Sequence, residues 1–375
     1  MVVKVSKPEI NVREKISELD KPSGVAGQAM LAAETPQEQF NLIGAGRKNL
    51  IINGGMTVAQ RGTSFGSTVN HVYTLDRWKV ARYAATNYYT TQESSTGGDP
   101  FVNYIKVRRN TGDTSGNALS LTQRIEPINF KAYRGRTVTL SFLYRTGTTF
   151  SPQYLRAGIL GSTSGGATLG YWAYDAGGVG ANDQKIEPST TWRQHTLSFR
   201  IGTNVEQLAV AFGVEGPYVY TGTAGSDDSF QIANVQLELG KVATPFEHRP
   251  YGEELASCQR YFEMIEFEAS QDQNGNISQE MLIGNGFAYT GGRTLNHLKF
   301  NHQKRIPPKV TINNVVYYEV LDSNTGWVTS NLLNSRANIH GARIDAYFPG
   351  NVLTPGRALE VRLLSGGKIS IDAEL

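Results

Sequence analysis

Hydrophobic and polar residues alternate with a period of two along most of this chain, the spacing of strands with one buried face. Residues 137–145 are the clearest case: Val138, Leu140, Phe142 and Tyr144 share one face. Residues 118–126 repeat the pattern with Leu119, Leu121 and Ile125, and the windows 153–160, 192–201 and 206–214 continue it. In 230–239 the alternation starts on Phe230 and Ile232 and resumes out of phase at Val235, Leu237 and Leu239. One extra residue near Ala233 and Asn234 would cause that change, which predicts a β-bulge. Gly-rich stretches at 161–170 and 176–181 separate the windows, and no long helix fits anywhere in 49–249. The period then changes: Leu255, Cys258 and Phe262 recur at helical spacing, with Glu253 and Glu254 in the first turn, where the helix dipole favours acids. Residues 266–375 return to short strand candidates, at 281–287, 294–300, 309–313, 315–321, 342–348, 359–364 and 368–373, joined by Asn-Gly, Asn-Asn and Gly-Gly pairs that suit tight reversals. The pattern predicts an all-β chain: a jelly-roll β-sandwich over 49–250, a linker helix within 251–265 and a smaller C-terminal β-sandwich over 266–375.

The first 48 residues follow neither period. Charges alternate there, Arg13 and Glu14 among them, and Pro8, Pro22 and Gly24 interrupt any long helix. One short helix is signalled: Thr35 as N-cap, Pro36 at the first helical position, Glu38 completing a capping box and Gly44 at the end, with Phe40 and Ile43 on one face. So polar a segment cannot build a core of its own. It is either a floppy tail or an extended docking arm that orders against a partner.

Composition narrows the class further. Hydrophobic residues are 39% and charged residues 18% of 375, both below the globular average of about 45–50% and about 25%. Glycine fills part of the difference, at 40 residues. Such a chain is not a helical bundle or coiled coil, and its 18 Tyr, 15 Phe and 4 Trp carry too much apolar surface for disorder. The 36 Lys and Arg against 33 Asp and Glu give a net charge of +3, and no basic run exceeds two residues, so nucleic acid is not the expected partner. One cysteine, Cys258, excludes an internal disulfide and a multi-cysteine metal site, and reads as a buried packing residue. No apolar run approaches 18 residues and no apolar leader opens the chain, so neither membrane insertion nor export is expected, and synthesis is placed in a reducing cytoplasm.

Three stretches resemble a known family. Residues 49–56 (NLIINGGM), then Gln60-Arg61-Gly62-Thr63-Ser64-Phe65 and Asp76-Arg77-Trp78, resemble the opening of a domain found in bacteriophage tail fibres and related virion proteins. Residues 232–240 (IANVQLELG), then Ala243-Thr244-Pro245-Phe246-Glu247 and Cys258-Gln259-Arg260-Tyr261-Phe262, look like its close. The terminal Ile371-Asp372-Ala373-Glu374-Leu375 is similar to phage fibre C-termini. The resemblance spans about 49–375 and implies a carbohydrate-binding-module-like jelly roll, a homotrimeric fibre of the virion tail, made in the host cytoplasm, and a distal surface that meets host glycan. It implies no enzyme. Residues 1–48 resemble virion-anchoring segments, which makes Phe40, Ile43, Arg13 and Glu14 the anchor candidates, docking on tail or capsid proteins. A head fibre or capsid decoration protein would be built from the same modules, and a polysaccharide depolymerase is the remaining alternative.

Candidate chemistry follows that reading. The six histidines stand in no hydrolase or metalloprotease context, and no phosphate-binding loop or dinucleotide fingerprint occurs. Adjacent acids such as Asp227 and Asp228 or Glu253 and Glu254 point apart in a strand, so neither pair makes an acid–base set. Asp227 and Asp228 could hold calcium through oxygen; no cofactor and no metal site are otherwise expected. Sugar binding needs aromatic platforms flanked by amides and carboxylates. Tyr171, Trp172 and Tyr174 lie between Gly-rich loops, and Tyr88, Tyr89, Tyr218 and Tyr220 are further candidates. Trp327, with Asp322 and Asn324 in a polar loop, is the candidate at a distal tip. Trp78 and Trp192 read as core.

Overall fold

Alternation of this kind buries one face of every strand, and in the computed structural model the strands stack as two sandwiches. Residues 48–374 are described, apart from 68–70, 83–86, 96, 100, 164–181, 215–217, 268–279, 314–317, 323–325, 330–331, 349 and 351. The first module holds β1 (Ser64–Ser67), β2 (Val72–Tyr73), β3 (Lys79–Arg82), β4 (Tyr88–Ser94), β5 (Asn103–Arg109), β6 (Leu119–Ile125), β7 (Thr137–Thr146), β8 (Leu155–Ser162), β9 (Asn182–Ile186), β10 (Arg193–Arg200), β11 (Gln207–Val214) and β12 (Ser229–Leu239). One six-stranded sheet runs β1-β4-β5-β12-β7-β10 and the other β2-β3-β6-β11-β8-β9, all pairs antiparallel. From β5 onward every connection but β8–β9 crosses from one sheet to the other, the jelly-roll pattern that encloses a core between them. That core takes Val138, Leu140, Phe142 and Tyr144 from β7, Leu208, Val210 and Phe212 from β11, and the fully buried Trp78.

The expected bulge is present. Pairing of β12 with β7 shifts register between Ala233 and Gln236, and Asn234 takes a positive φ of 47°. The two motifs that open and close the module meet there. Asn49 donates from Nδ2 to the Val235 carbonyl (3.0 Å), while its Oδ1 accepts from Leu237 N (3.0 Å) and Ile51 N (2.9 Å). Gly54 lies so close that a Cβ on it would fall 2.1 Å from the Val235 carbonyl oxygen.

The helix after the jelly roll, preceded by α1 (Pro127–Phe130), is α2 (Tyr251–Gln259). It ends earlier than the span 251–265 suggests, because Phe262–Glu266 is already a strand, β13. The second module continues with β14 (Glu280–Thr290), β15 (Arg293–Lys299), β16 (Lys309–Ile312), β17 (Tyr318–Asp322), β18 (Gly326–Thr329), β19 (Leu332–Ala337), β20 (Gly341–Tyr347), β21 (Ala358–Leu364) and β22 (Lys368–Asp372). A seven-stranded sheet, β18-β17-β21-β14-β15-β20-β19, and a three-stranded one, β13-β22-β16, share a core that includes Ile344, Val361, Leu363, Ile369 and Ile371.

The remaining motif residues bind the two modules together. Asp76 accepts from Gln60 N (2.7 Å) and Gln60 Nε2 (2.6 Å), and the same Nε2 donates to the Phe262 carbonyl (2.8 Å). Trp78 Nε1 donates to the Asn53 carbonyl (2.9 Å), and Asn53 N to Glu254 (2.5 Å). The Arg61 guanidinium lies 3.5 Å from the Phe262 ring centre and that of Arg77 3.6 Å from Tyr261, and both pair with Glu374. Glu126 accepts from Arg260 Nη2 (2.8 Å), Arg260 Nε (3.0 Å) and Tyr261 Oη (2.9 Å). Beside the seam, within the second module, lies a fully buried ion pair, Lys304 with Glu263. Cys258 is buried against the seam, and burial first, then the nearby Asp76 and Glu254 carboxylates, push its thiol well up. It is a packing residue, as its helical spacing suggested.

Candidate functional site

The outer face of the first sheet carries a group of aromatic rings that the core cannot use. On β7 and β12 the core-facing Phe142 and Ile232 alternate with Leu143 and Ala233, which point outward. Around them gather Phe101, Tyr104 of β5 and Trp192 at the start of β10. Trp192 packs edge-on against Phe101 (4.7 Å between ring centres) and Tyr104 (5.2 Å). The Arg145 guanidinium sits 4.8 Å from the Trp192 ring and 5.2 Å from Tyr104, a cation–π arrangement. Arg145 also donates to Tyr104 Oη (3.1 Å) and to the Gln231 side chain. Phe101 and Tyr104 are buried while Trp192 and Arg145 are half-exposed, and Val102, next to Phe101, is 68% exposed. The Trp192 indole N–H is buried without a hydrogen-bond partner among the described residues. A buried donor left unmade costs about 1–3 kcal/mol.

Trp192 therefore corrects the sequence reading. Its spacing placed it in the core, but the core tryptophan is Trp78; Trp192 precedes Arg193, whose partner Tyr144 faces inward, so its own position falls on the opposite face.

The other candidates divide. Tyr171, Trp172, Tyr174 and Asn324 lie outside the described residues, as do Phe40, Ile43, Arg13 and Glu14. Trp327 is not in a loop: residues 326–329 pair with β17, placing Trp327 opposite Leu321 and Gly326 opposite Asp322. The aromatic and β-branched run Trp327-Val328-Thr329 favours a strand. Tyr88 and Tyr220 are buried in the core. Tyr89 is tied to Ser64 Oγ (2.6 Å). Tyr218 stacks edge-on with Tyr154 (5.1 Å) under the Lys185 ammonium (4.6 Å from Tyr218), a smaller aromatic group at the edge of the second sheet.

Asp227 and Asp228 already have cations. Arg109 is fully buried and uses all five guanidinium donors: two to Asp228 (3.1 and 2.8 Å) and one each to the carbonyls of Ser115 (3.0 Å), Gly222 (3.0 Å) and Thr221 (3.1 Å). Asp227 pairs with Lys106 at 2.8 Å; burial opposes its charge, but Lys106 and Ser229 outweigh burial and lower its pKa. A guanidinium thus occupies the oxygen-lined position that the sequence suggested for calcium. Among the described residues no group of three or more His, Cys, Asp or Glu side chains could hold a metal ion, and no helix is long and apolar enough to cross a membrane.

No protein-family model matches the chain, and no curated protein does. Among solved structures it is similar to the enzymatically active domain of tailspike protein 4 from bacteriophage CBA120, at 14% identity over 51% of this chain and 21% of that one, with a TM-score of 0.34. It is also similar to the family 11 carbohydrate-binding module of Clostridium thermocellum in complex with a β-1,3-1,4-mixed-linked tetrasaccharide (11% identity, 48% of this chain and 98% of that one, TM-score 0.31). TmCBM61 in complex with β-1,4-galactotriose gives 9% identity over 52% of this chain and 99% of that one, with a TM-score of 0.30.

Proposed function

We propose that this chain is a bacteriophage tail fibre protein that binds host surface glycan without cleaving it. The observation that carries the glycan reading is the Trp192 group: a half-exposed indole, a guanidinium stacked on it and the Gln231 amide close by. Such a surface offers a flat apolar plate to the C–H face of a sugar and several donors to its hydroxyls. The phage reading rests on the resemblance of the opening and closing motifs. In this account residues 1–48 anchor the chain to the virion, and the β modules project outward as a homotrimer. Trimerisation suits weak sugar sites, because linked sites raise avidity through effective concentration.

Two experiments test these parts separately. Trp192→Ala lowers affinity for a bound neutral polysaccharide at least tenfold with its chain length unchanged after incubation; undiminished affinity moves the site elsewhere, and shortened chains make the protein an enzyme. Deleting residues 1–48 leaves a folded trimer that is missing from purified particles; normal incorporation, or labelling at a capsid vertex, contradicts the tail anchor.

A further inference from the structure

The outer face of the seven-stranded sheet holds charges that the fold leaves unbalanced. Thr294, Leu298, Ala342 and Ile344 face the core, so the residues alternating with them on β15 and β20 face away: Arg293, His297, Lys299, Arg343 and Asp345. Asp345 is the single carboxylate on β15, β19 and β20, and it lies between Arg293 (2.7 Å) and Arg343 (2.9 Å). Register sets His297 opposite Arg343 and Arg343 opposite Arg336, one row across three strands about 4.8 Å apart. Like charges directly opposed across strands destabilise a sheet. Lys299 and Arg336 are exposed and have no ion-pair partner among the described residues.

Apolar rings lie beside this row. Phe287 of β14, opposite Leu295, is 46% exposed, and Tyr289 is 57% exposed. The Arg293 guanidinium lies 5.8 Å from the Tyr289 ring and 5.3 Å from that of Tyr347. An anion relieves the opposed cations, and a flat, partly apolar polymer covers the rings; one ligand class does both. We propose that this face binds an anionic polysaccharide, with carboxylate or phosphate groups on Arg343, Arg336 and Lys299 and sugar rings against Phe287 and Tyr289. The inference rests on the glycan-binding reading above, but at a second surface and with a defined charge.

Titration calorimetry on the full chain tests it with polygalacturonate, poly(glycerol phosphate) and neutral dextran of matched length. The expected result is binding of a polyanion but not of dextran, weakening as salt rises; which polyanion binds tells carboxylate from phosphate. Arg336→Gln combined with Arg343→Gln weakens it at least tenfold and Phe287→Ala several-fold, while Arg336→Gln alone melts no lower than the parent. Trp192→Ala retains the polyanion affinity, so the failure of one surface is separable from failure of the other. The inference is overturned if neither polyanion binds, if dextran binds equally, if the double variant keeps its affinity, or if Phe287→Ala dissociates an oligomer without touching that affinity.

Discussion

Arg109 shows how single residues replace devices that such a fold could otherwise need. Its five donors are all used, its carboxylate partner Asp228 is equally buried, and Ser151 adds hydrogen bonds to Asp228 from N (2.9 Å) and Oγ (3.0 Å). Removing one partner of such a pair leaves an uncompensated buried charge, at a cost of about 3–5 kcal/mol. Arg109→Met should lower thermal stability by that order, measured by denaturant unfolding. The parent's melting temperature should be the same in calcium and in EDTA; a rise with calcium would show that oxygen donors remain available. The pair was only half legible in the sequence: Asp227-Asp228 drew attention as acids in a Gly/Ser loop, but the arginine 119 residues away gave no signal.

At the scale of elements, the β-bulge of β12 is where the opening and closing motifs of the first module lock together. Val235 N donates to the Gly54 carbonyl (3.0 Å), and the close approach leaves no room for a side chain at 54. Gly54→Ala should cost about 1–3 kcal/mol through overpacking, read as a lower unfolding midpoint at unchanged slope. The bulge was legible because a phase change in alternation is visible within one strand. The other strands whose alternation shows in the sequence, β6, β7, β10 and β11, were legible for the same reason. By contrast β4, with its run Tyr88-Tyr89-Thr90-Thr91-Gln92-Glu93-Ser94, is too polar on both faces to read as a strand, and β18 hid in what looked like a loop. Trp192 misled because a tryptophan at a strand start fits either face; only the register with β7 decides which.

The whole molecule depends on the seam between its sandwiches, and several residues of the motifs that resemble phage fibre proteins lie in it. Asp76, Arg77, Trp78, Gln60, Arg61, Tyr261, Phe262 and Glu374 converge there, so the motifs mark an architecture and not a binding surface. Long-range convergence of this sort carries no local pattern, which is why sequence reading could quote the motifs without assigning them work. Glu126 makes the seam sensitive to acid. Burial opposes its charge, but hydrogen bonds from Arg260 and Tyr261 and the Arg260 charge prevail, holding its pKa below the usual carboxylate range. A carboxylate with a depressed folded pKa adds stability that is complete above its unfolded value and fades as pH falls toward the folded one. The melting temperature should therefore drop as pH is lowered below about 4.5, and Glu126→Gln should lower stability at neutral pH while flattening that drop. Equal pH profiles for parent and variant would remove Glu126 from the seam.

Seam and sandwiches together hold the Trp192 surface on the outside of the first sheet, where in the proposed reading it binds glycan. The most direct measurement is retention of the fluorescently labelled full chain on an array of purified bacterial surface polysaccharides, compared with Trp192→Ala at matched folding. The account predicts that the parent is retained on a subset of the polysaccharides and that the variant loses at least tenfold on those of them that are neutral. Retention of the parent on none, or equal retention of the variant on the neutral ones, would contradict it.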